Sequence, residues 1–329
     1  MNVHAIFDQL INDFENSKFG NIDLYFCEDA ELFSSAVGHY YGIDRIKEVL
    51  ESRKVDADIL KVRVFNYVTE QIDIDTTLLS AYTVILIGRV INGFLHLFQT
   101  NFINLISFDL TDDKWRIKSL HSNMTLECGN SLLVSPYWNL IDYSKLNGND
   151  ENILLDEKGP LDHLIYSRNE EEEIKKCFFR YCWYIDNQRF DKLGNVYEDP
   201  FEMKNEKLKD YESGNKMSLR DSIDIFKKQR AAMSHFSGID IPKEAVWNHI
   251  AHFEKLDIHA DTAEALIYRY EPNRISTRFL HVYNYKTIYY SGVWKIGFTR
   301  NDSGIWKIRT FEFVNGITED LNESDRRYF

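Results

Sequence analysis

Three histidines lie close together between Trp247 and Pro272, in a segment where apolar and polar residues alternate. They are His249, His252 and His259. An imidazole can accept a proton near neutral pH, so each of these side chains could act as a general base. Alternate side chains of a strand face opposite sides of a sheet, so His249 and His252 cannot line one cavity without a bulge.

The spacing of metal-ligating residue types favours neither a zinc site nor a disulfide framework. The histidines lack an H-E-x-x-H pattern, whose helical spacing would not apply on a strand. The four cysteines are Cys27, Cys128, Cys177 and Cys182, and they form no C-x-x-C pair. We interpret them as reduced thiols of a cytoplasmic protein, and we expect neither a metal nor a cofactor.

The composition predicts a folded protein of about two domains. The chain has 329 residues, and its hydrophobic content of 44% is enough for a packed core. A net charge of −13 argues against a nucleic-acid partner, which requires a basic face. The apolar stretch from Leu78 to Phe108 is interrupted by Asn92 and Gly93, a dipeptide typical of a β-hairpin turn. We therefore predict paired strands there and no membrane segment.

The order of elements is predicted to occur twice. Each half contains two amphipathic helices followed by long antiparallel strands, and Trp115 in the first half matches Trp306 in the second. The predicted helices cover residues 6–14 and 42–54 in the first half, and 171–186 and 218–233 in the second, the last with Ser218 as its N-cap. We predict a first module at 1–128, a linker and packing segment at 129–168, a second module at 169–318 and a tail at 319–329.

Three motifs in the second half resemble a known family. They read "RYCWYIDNQRFDKLGNVYEDP", "NHIAHFEKLDIHADTAEALIYRY" and "YYSGVWKIGFTRNDSGIWKI". They resemble the SnoaL-like, nuclear-transport-factor-like proteins, in particular the branch of scytalone dehydratase and lindane dehydrochlorinase. The resemblance covers roughly residues 170–316, while the first half shares the architecture but few motif residues. It implies an α+β fold of two tandem cones, each with N-terminal helices packed on a strongly bent antiparallel sheet.

The resemblance also implies a set of site residues in the second module. The family's dyad is an aspartate that orients a histidine, and it carries over to Asp186 and His252. Tyr181, on the same helix as Asp186, is expected to contact substrate. Asn273 stands where scytalone dehydratases have a second histidine, which makes a two-histidine dehydration doubtful. Arg309 is the candidate for a substrate-binding charge, although an exposed strand position is the simpler interpretation.

These residues suggest an enzyme. The expected activity is a cofactor-independent lyase, isomerase or cyclase that abstracts a proton from a small hydrophobic substrate, with His252 as the base. The alternative is a non-catalytic ligand-binding or scaffold protein in which His252 is a core histidine. In the first module Glu15 aligns with Asp186 and Asn66 with His252, so that module is expected to lack the dyad. The two modules are expected to pair within the chain as a pseudo-dimer, with a further homodimer possible.

Overall fold

The structure is a computed structural model. It describes residues 2–139, 169–186, 189–204, 216–224, 227, 249–279, 282–314 and 318–319. The chain divides into two compact units, and their described residues begin at 2 and at 169. Within the described residues no helix is long and apolar enough to span a membrane.

The first unit is built of helices and a six-stranded sheet. The helices are α1 (Val3–Glu15), α2 (Ile43–Ser52) and two 3-10 segments, Phe19–Leu24 and Ser131–Leu133. The strands are β1 (Phe26–Ser34), β2 (Gly38–Tyr41), β3 (Ile59–Gln71), β4 (Thr76–Ile91), β5 (Phe94–Thr111) and β6 (Lys114–Gly129). Their order across the sheet is β2-β1-β6-β5-β4-β3.

The second unit repeats this arrangement. Its helical elements are α3 (Glu170–Asp186), a 3-10 segment at Phe190–Asn195 and helical residues 219–224. Its strands are β7 (Tyr197–Lys204), β8 (Lys216–Met217), β9 (Ile250–His259), β10 (Thr262–Phe279), β11 (Val282–Arg300), β12 (Trp306–Val314) and β13 (Thr318–Glu319). The order β8-β7-β12-β11-β10-β9 matches that of the first sheet, with β13 added beside β11. The predicted α+β fold is confirmed, and the two sheets share one strand order.

Local sequence explains the helices and the main hairpin. In α1, Ile6, Phe7 and Leu10 are buried on one face, and the side chain of Asn2 caps the helix by accepting a hydrogen bond from the backbone of Ala5 at 2.8 Å. In α3, four glutamates occupy the first turn, where the helix dipole favours negative charge. The predicted Asn92–Gly93 turn is confirmed, since both residues have positive φ angles.

Each sheet differs from a simple antiparallel meander in one respect. A short hairpin, β1–β2, lies between α1 and α2, and β1 pairs with β6 in parallel. The same parallel pairing joins β7 to β12 in the second unit. Local sequence patterns do not predict these strands, because their pairing joins residues far apart in the chain.

The segment predicted as linker and packing begins inside the first core. Leu133, Val134 and Trp138 are buried there, and the indole N–H of Trp138 donates to the backbone carbonyl of Arg53 at 3.2 Å. Residues 140–168, most of the predicted 218–233 helix and most of the predicted tail lie outside the described residues. Within the described part of that helix, Ser218 is the N-cap, because its Oγ accepts a hydrogen bond from the backbone of Asp221 at 3.2 Å.

Candidate active site

The candidate active site lies where helix α3 meets the start of β9. Asp186 is the last residue of α3 and is 1% exposed. Its Oδ2 accepts a hydrogen bond from the backbone N–H of His249 at 2.9 Å, and its Oδ1 forms a short hydrogen bond with Nδ1 of the same histidine. One carboxylate therefore holds both the backbone and the ring of His249.

The ring of His249 is buried among aromatic side chains. It is 4% exposed, stacks on Trp294 at a centroid distance of 5.8 Å, and meets Tyr181 edge-on at 6.1 Å. An ionised carboxylate can only accept, so Nδ1 carries the hydrogen of this bond. In the neutral ring the lone pair that can take a proton is therefore on Nε2, the tautomer that a general base requires.

The structure corrects the predicted partner of Asp186. His252 lies on the opposite face of β9, where it is exposed and pairs across the sheet with the exposed Tyr268. The face towards α3, here called the inner face, carries Phe253, whose ring meets Phe178 of α3 at 5.6 Å. Two-residue alternation from Phe253 leads back to His249 and not to His252.

Tyr181, for which the sequence predicts a contact with substrate, lies beside the ring of His249. It is buried, and its ring contacts Trp294, Phe311 and Tyr197 as well as His249. Burial raises the pKa of Tyr197 well above its ordinary value. The Tyr197 phenol therefore stays protonated at neutral pH.

Of the other two predicted residues, Arg309 does not join this cluster. Arg309 is exposed, because it is the extra residue of a β-bulge between Ile308 and Thr310 of β12 and is turned towards solvent. The simpler interpretation of Arg309, a surface strand residue, applies. The backbone of Asn273 pairs with Ile288 in β11, but its side chain lies outside the described residues.

A cation that the sequence analysis missed lies on the inner face of β10. Arg269 follows the buried Ala265 and Ile267 at two-residue spacing, and it is half-buried. Its guanidinium carbon is 5.1 Å from the ring centroid of Trp294, the indole on which His249 stacks. The two-residue alternation of β10 places Arg269 on the same face as Ala265 and Ile267, so the sequence indicates its position once those two residues are known to be buried.

The first unit keeps the carboxylate contact but not the histidine. Glu15 ends α1, and its Oε1 accepts a hydrogen bond from the backbone N–H of Val62 in β3, as Asp186 does from His249. The counterpart of His249 is therefore Val62, which is also buried. A valine cannot transfer protons, so this position of the first unit holds no base.

The described residues contain no group of three or more histidine, cysteine, aspartate or glutamate side chains placed to hold a metal ion. The pair of Asp186 and His249, with Tyr181 and Arg269 around the shared indole, is instead suited to proton transfer next to apolar surface.

No protein-family model and no curated protein matches this sequence. Among solved structures, the chain is similar to the Kfla4162 protein from Kribbella flavida, with 16% identity over 46% of this chain and 93% of that one, and a TM-score of 0.37. It is also similar to a type 2 hexachlorocyclohexane dehydrochlorinase, LinA, with 12% identity over 39% of this chain and 86% of that one, at a TM-score of 0.36. A LinA of type 3 from Novosphingobium barchaimii gives 12% identity, 39% and 88% coverage, and a TM-score of 0.35.

Proposed function

We propose that the second unit abstracts a proton from a carbon atom of a small, largely apolar substrate, with His249 as the general base. The observation that supports this is the buried two-point contact between Asp186 and His249. The carboxylate fixes the ring orientation and stabilises the imidazolium that forms when Nε2 takes the proton. A low-dielectric setting strengthens both effects.

The reaction that fits best is an elimination. Nε2 forms a bond to hydrogen as the C–H bond breaks, and the released electron pair becomes a new double bond as a leaving group departs with its own electrons from the adjacent atom. Arg269 is the residue we assign to the departing anion, since its cation lies against the indole that also contacts His249. Return of the proton to another carbon of the substrate would make the same site an isomerase.

The surroundings of the base suggest the substrate class. Phe253, Trp294 and Phe311 contribute aromatic surface to the inner face, and Tyr181 adds a phenol beside the imidazole. Sites with this composition bind apolar molecules and orient them through a few polar groups. We therefore expect a small hydrophobic substrate with one acidic C–H bond.

A general-base probe tests the proposal without knowledge of the natural substrate. 5-Nitrobenzisoxazole loses one carbon-bound proton and opens to a coloured phenolate, so its elimination can be followed by absorbance. We expect His249→Gln to lower kcat/KM by about 100-fold or more, because the amide can still donate to Asp186 but cannot accept a proton.

The chain offers a matched control in His252→Gln, the same change on the exposed face three residues away. It should alter kcat/KM by less than twofold. Circular dichroism of both variants would verify that they remain folded. Equal rates for the unaltered protein and His249→Gln, or a loss of rate in His252→Gln alone, would show that His249 is not the base.

A further inference from the structure

The first unit contains an apolar cavity of about 120 Å³ between its helices and the face of its sheet that is turned towards α1. Phe7 and Phe14 of α1, Phe102 of β5 and Trp138 form part of its wall. An engineered apolar cavity of about 150 Å³ is known to bind benzene, so this space has the size for a single small ring.

One side of this cavity is crossed by a row of polar side chains. Ser34 of β1 is paired with Ser122 of β6, which is paired in turn with Asn104 of β5, and Thr83 of β4 lies next to Asn104. All four line the cavity. An apolar wall with a few placed polar groups is the usual composition of a small-molecule site.

The hydrogen bonds of this row leave one well-placed donor. The amide nitrogen of Asn104 donates to the backbone carbonyl of Ala81 at 3.2 Å and to Oγ1 of Thr83 at 3.1 Å, while its oxygen accepts from Ser122 at 2.8 Å. The Ala81 carbonyl can only accept, which fixes the orientation of the amide. Thr83 is thus used as an acceptor, and its own hydroxyl hydrogen meets no acceptor among the described residues although the side chain is 4% exposed.

Ser34 is a weaker candidate for the same role. Its Oγ accepts from the backbone of Ala36 at the longer distance of 3.3 Å. Neighbouring strands lie about 4.8 Å apart, and β1 is three strands away from β4. Ser34 and Thr83 therefore lie at opposite ends of the polar row, too far apart along the sheet for one ligand atom to contact both. The oriented hydroxyl of Thr83 is the better donor.

We propose that this cavity binds a neutral, single-ring ketone, with the carbonyl oxygen accepting a hydrogen bond from Thr83. The first unit holds this ligand without transforming it, because Val62 replaces the histidine of the second unit. Arg53 is the one charged residue in the described lining, and it is held by the backbone carbonyl of Tyr137 at 2.9 Å. The rest of that lining consists of apolar side chains with a few hydroxyl and amide groups, a composition suited to a neutral ligand.

Calorimetric titration of the full chain with two isosteric probes tests this inference. Acetophenone carries a carbonyl oxygen where α-methylstyrene carries a methylene group. We expect acetophenone to bind more tightly, and we expect Thr83→Val to weaken acetophenone about three- to tenfold while leaving α-methylstyrene unchanged, which is the usual effect of one hydrogen bond. Ser34→Ala is the matched hydroxyl deletion and should change neither affinity.

Two more variants locate the bound probe. Ala36→Leu extends a lining side chain into the cavity and should abolish binding of both probes, whereas His249→Gln in the second unit should leave binding unchanged. The inference is overturned if the two probes bind equally, if neither binds, if benzoate binds more tightly than acetophenone, or if Thr83→Val has no effect. Binding that survives in Ala36→Leu would place the probe elsewhere and would overturn it as well.

Discussion

Replacement of Asp186 by asparagine isolates the role of the carboxylate. In the native protein the backbone nitrogen of His249 lies 2.9 Å from Oδ2 of Asp186. Asparagine has nearly the same shape, so its oxygen can still accept this hydrogen bond. Its NH₂ group then faces Nδ1, where the native carboxylate oxygen accepts. To avoid two facing donors, the imidazole must move its hydrogen from Nδ1 to Nε2. The nitrogen assigned to the substrate then carries a hydrogen and cannot act as a base.

The expected magnitudes follow from these contacts. Loss of the correct tautomer and of the stabilising charge should lower kcat/KM on 5-nitrobenzisoxazole by roughly 10²- to 10⁴-fold. A buried hydrogen bond to a charged group becomes a neutral one, so the free energy of unfolding should fall by about 1–3 kcal/mol. Long-range ¹⁵N–¹H correlation spectra would report the tautomer, and urea unfolding would report the stability.

Glu15→Gln in the first unit is the internal comparison. Glu15 makes the same backbone contact, with Val62, and has Lys61 and Arg63 within 3.6 and 3.8 Å. This change should lower the free energy of unfolding by about 1 kcal/mol and leave the rate unchanged. If Asp186→Asn kept the native rate, or if its imidazole kept the hydrogen on Nδ1, the role given to the carboxylate would be refuted.

Three other polar groups have measurable consequences. Burial raises the pKa of Asp13, but hydrogen bonds from Tyr25 and two amides outweigh this effect and hold the pKa below 3.8. The ionised Asp13 therefore stabilises the folded state above about pH 4, and this contribution is lost as the pH falls through the folded-state pKa. Asp13→Asn should therefore cost about 1–2 kcal/mol at pH 7, with urea midpoints that approach those of the unaltered protein as the pH falls and Asp13 takes up its proton. Burial raises the pKa of Cys177 to about 12, so iodoacetamide at pH 8 should label it only after unfolding, as peptide mass spectrometry would show. Ser218→Ala removes the cap on Asp221 and should cost about 1 kcal/mol in urea unfolding; no loss would argue against the cap.

Much of the fold could be predicted from local patterns. Apolar periodicity located α1 and α3, and the Asn92–Gly93 dipeptide located the β4–β5 turn, because these features depend on neighbouring residues. The parallel pairs β1–β6 and β7–β12 could not be predicted, since they join strands separated by most of a unit.

The candidate site was predicted in part. Asp186 and Tyr181 lie where the family resemblance implied, but the histidine was assigned to the wrong face of β9. The alternation does not identify the inner face at that point, because Ile250 and Ala251 are adjacent, both apolar and both buried. For Arg309 the simpler interpretation, an exposed strand position, was available from the sequence, whereas the β-bulge at this residue was not, because it depends on the pairing of β12 with β11.

The comparison between units separates two explanations of the buried pair. If the carboxylate served only to fasten the end of a helix to the start of a strand, a bond to the strand backbone would be enough. In the first unit Glu15 makes that bond to Val62, with ion pairs to Lys61 and Arg63 and no buried histidine. The second unit adds a buried imidazole on the same carboxylate, next to Trp294 and Tyr181. Burying an ionisable ring costs free energy that a valine at the same place avoids. Fastening the helix to the strand therefore does not explain His249, whereas the proton transfer proposed above would give the imidazole a role.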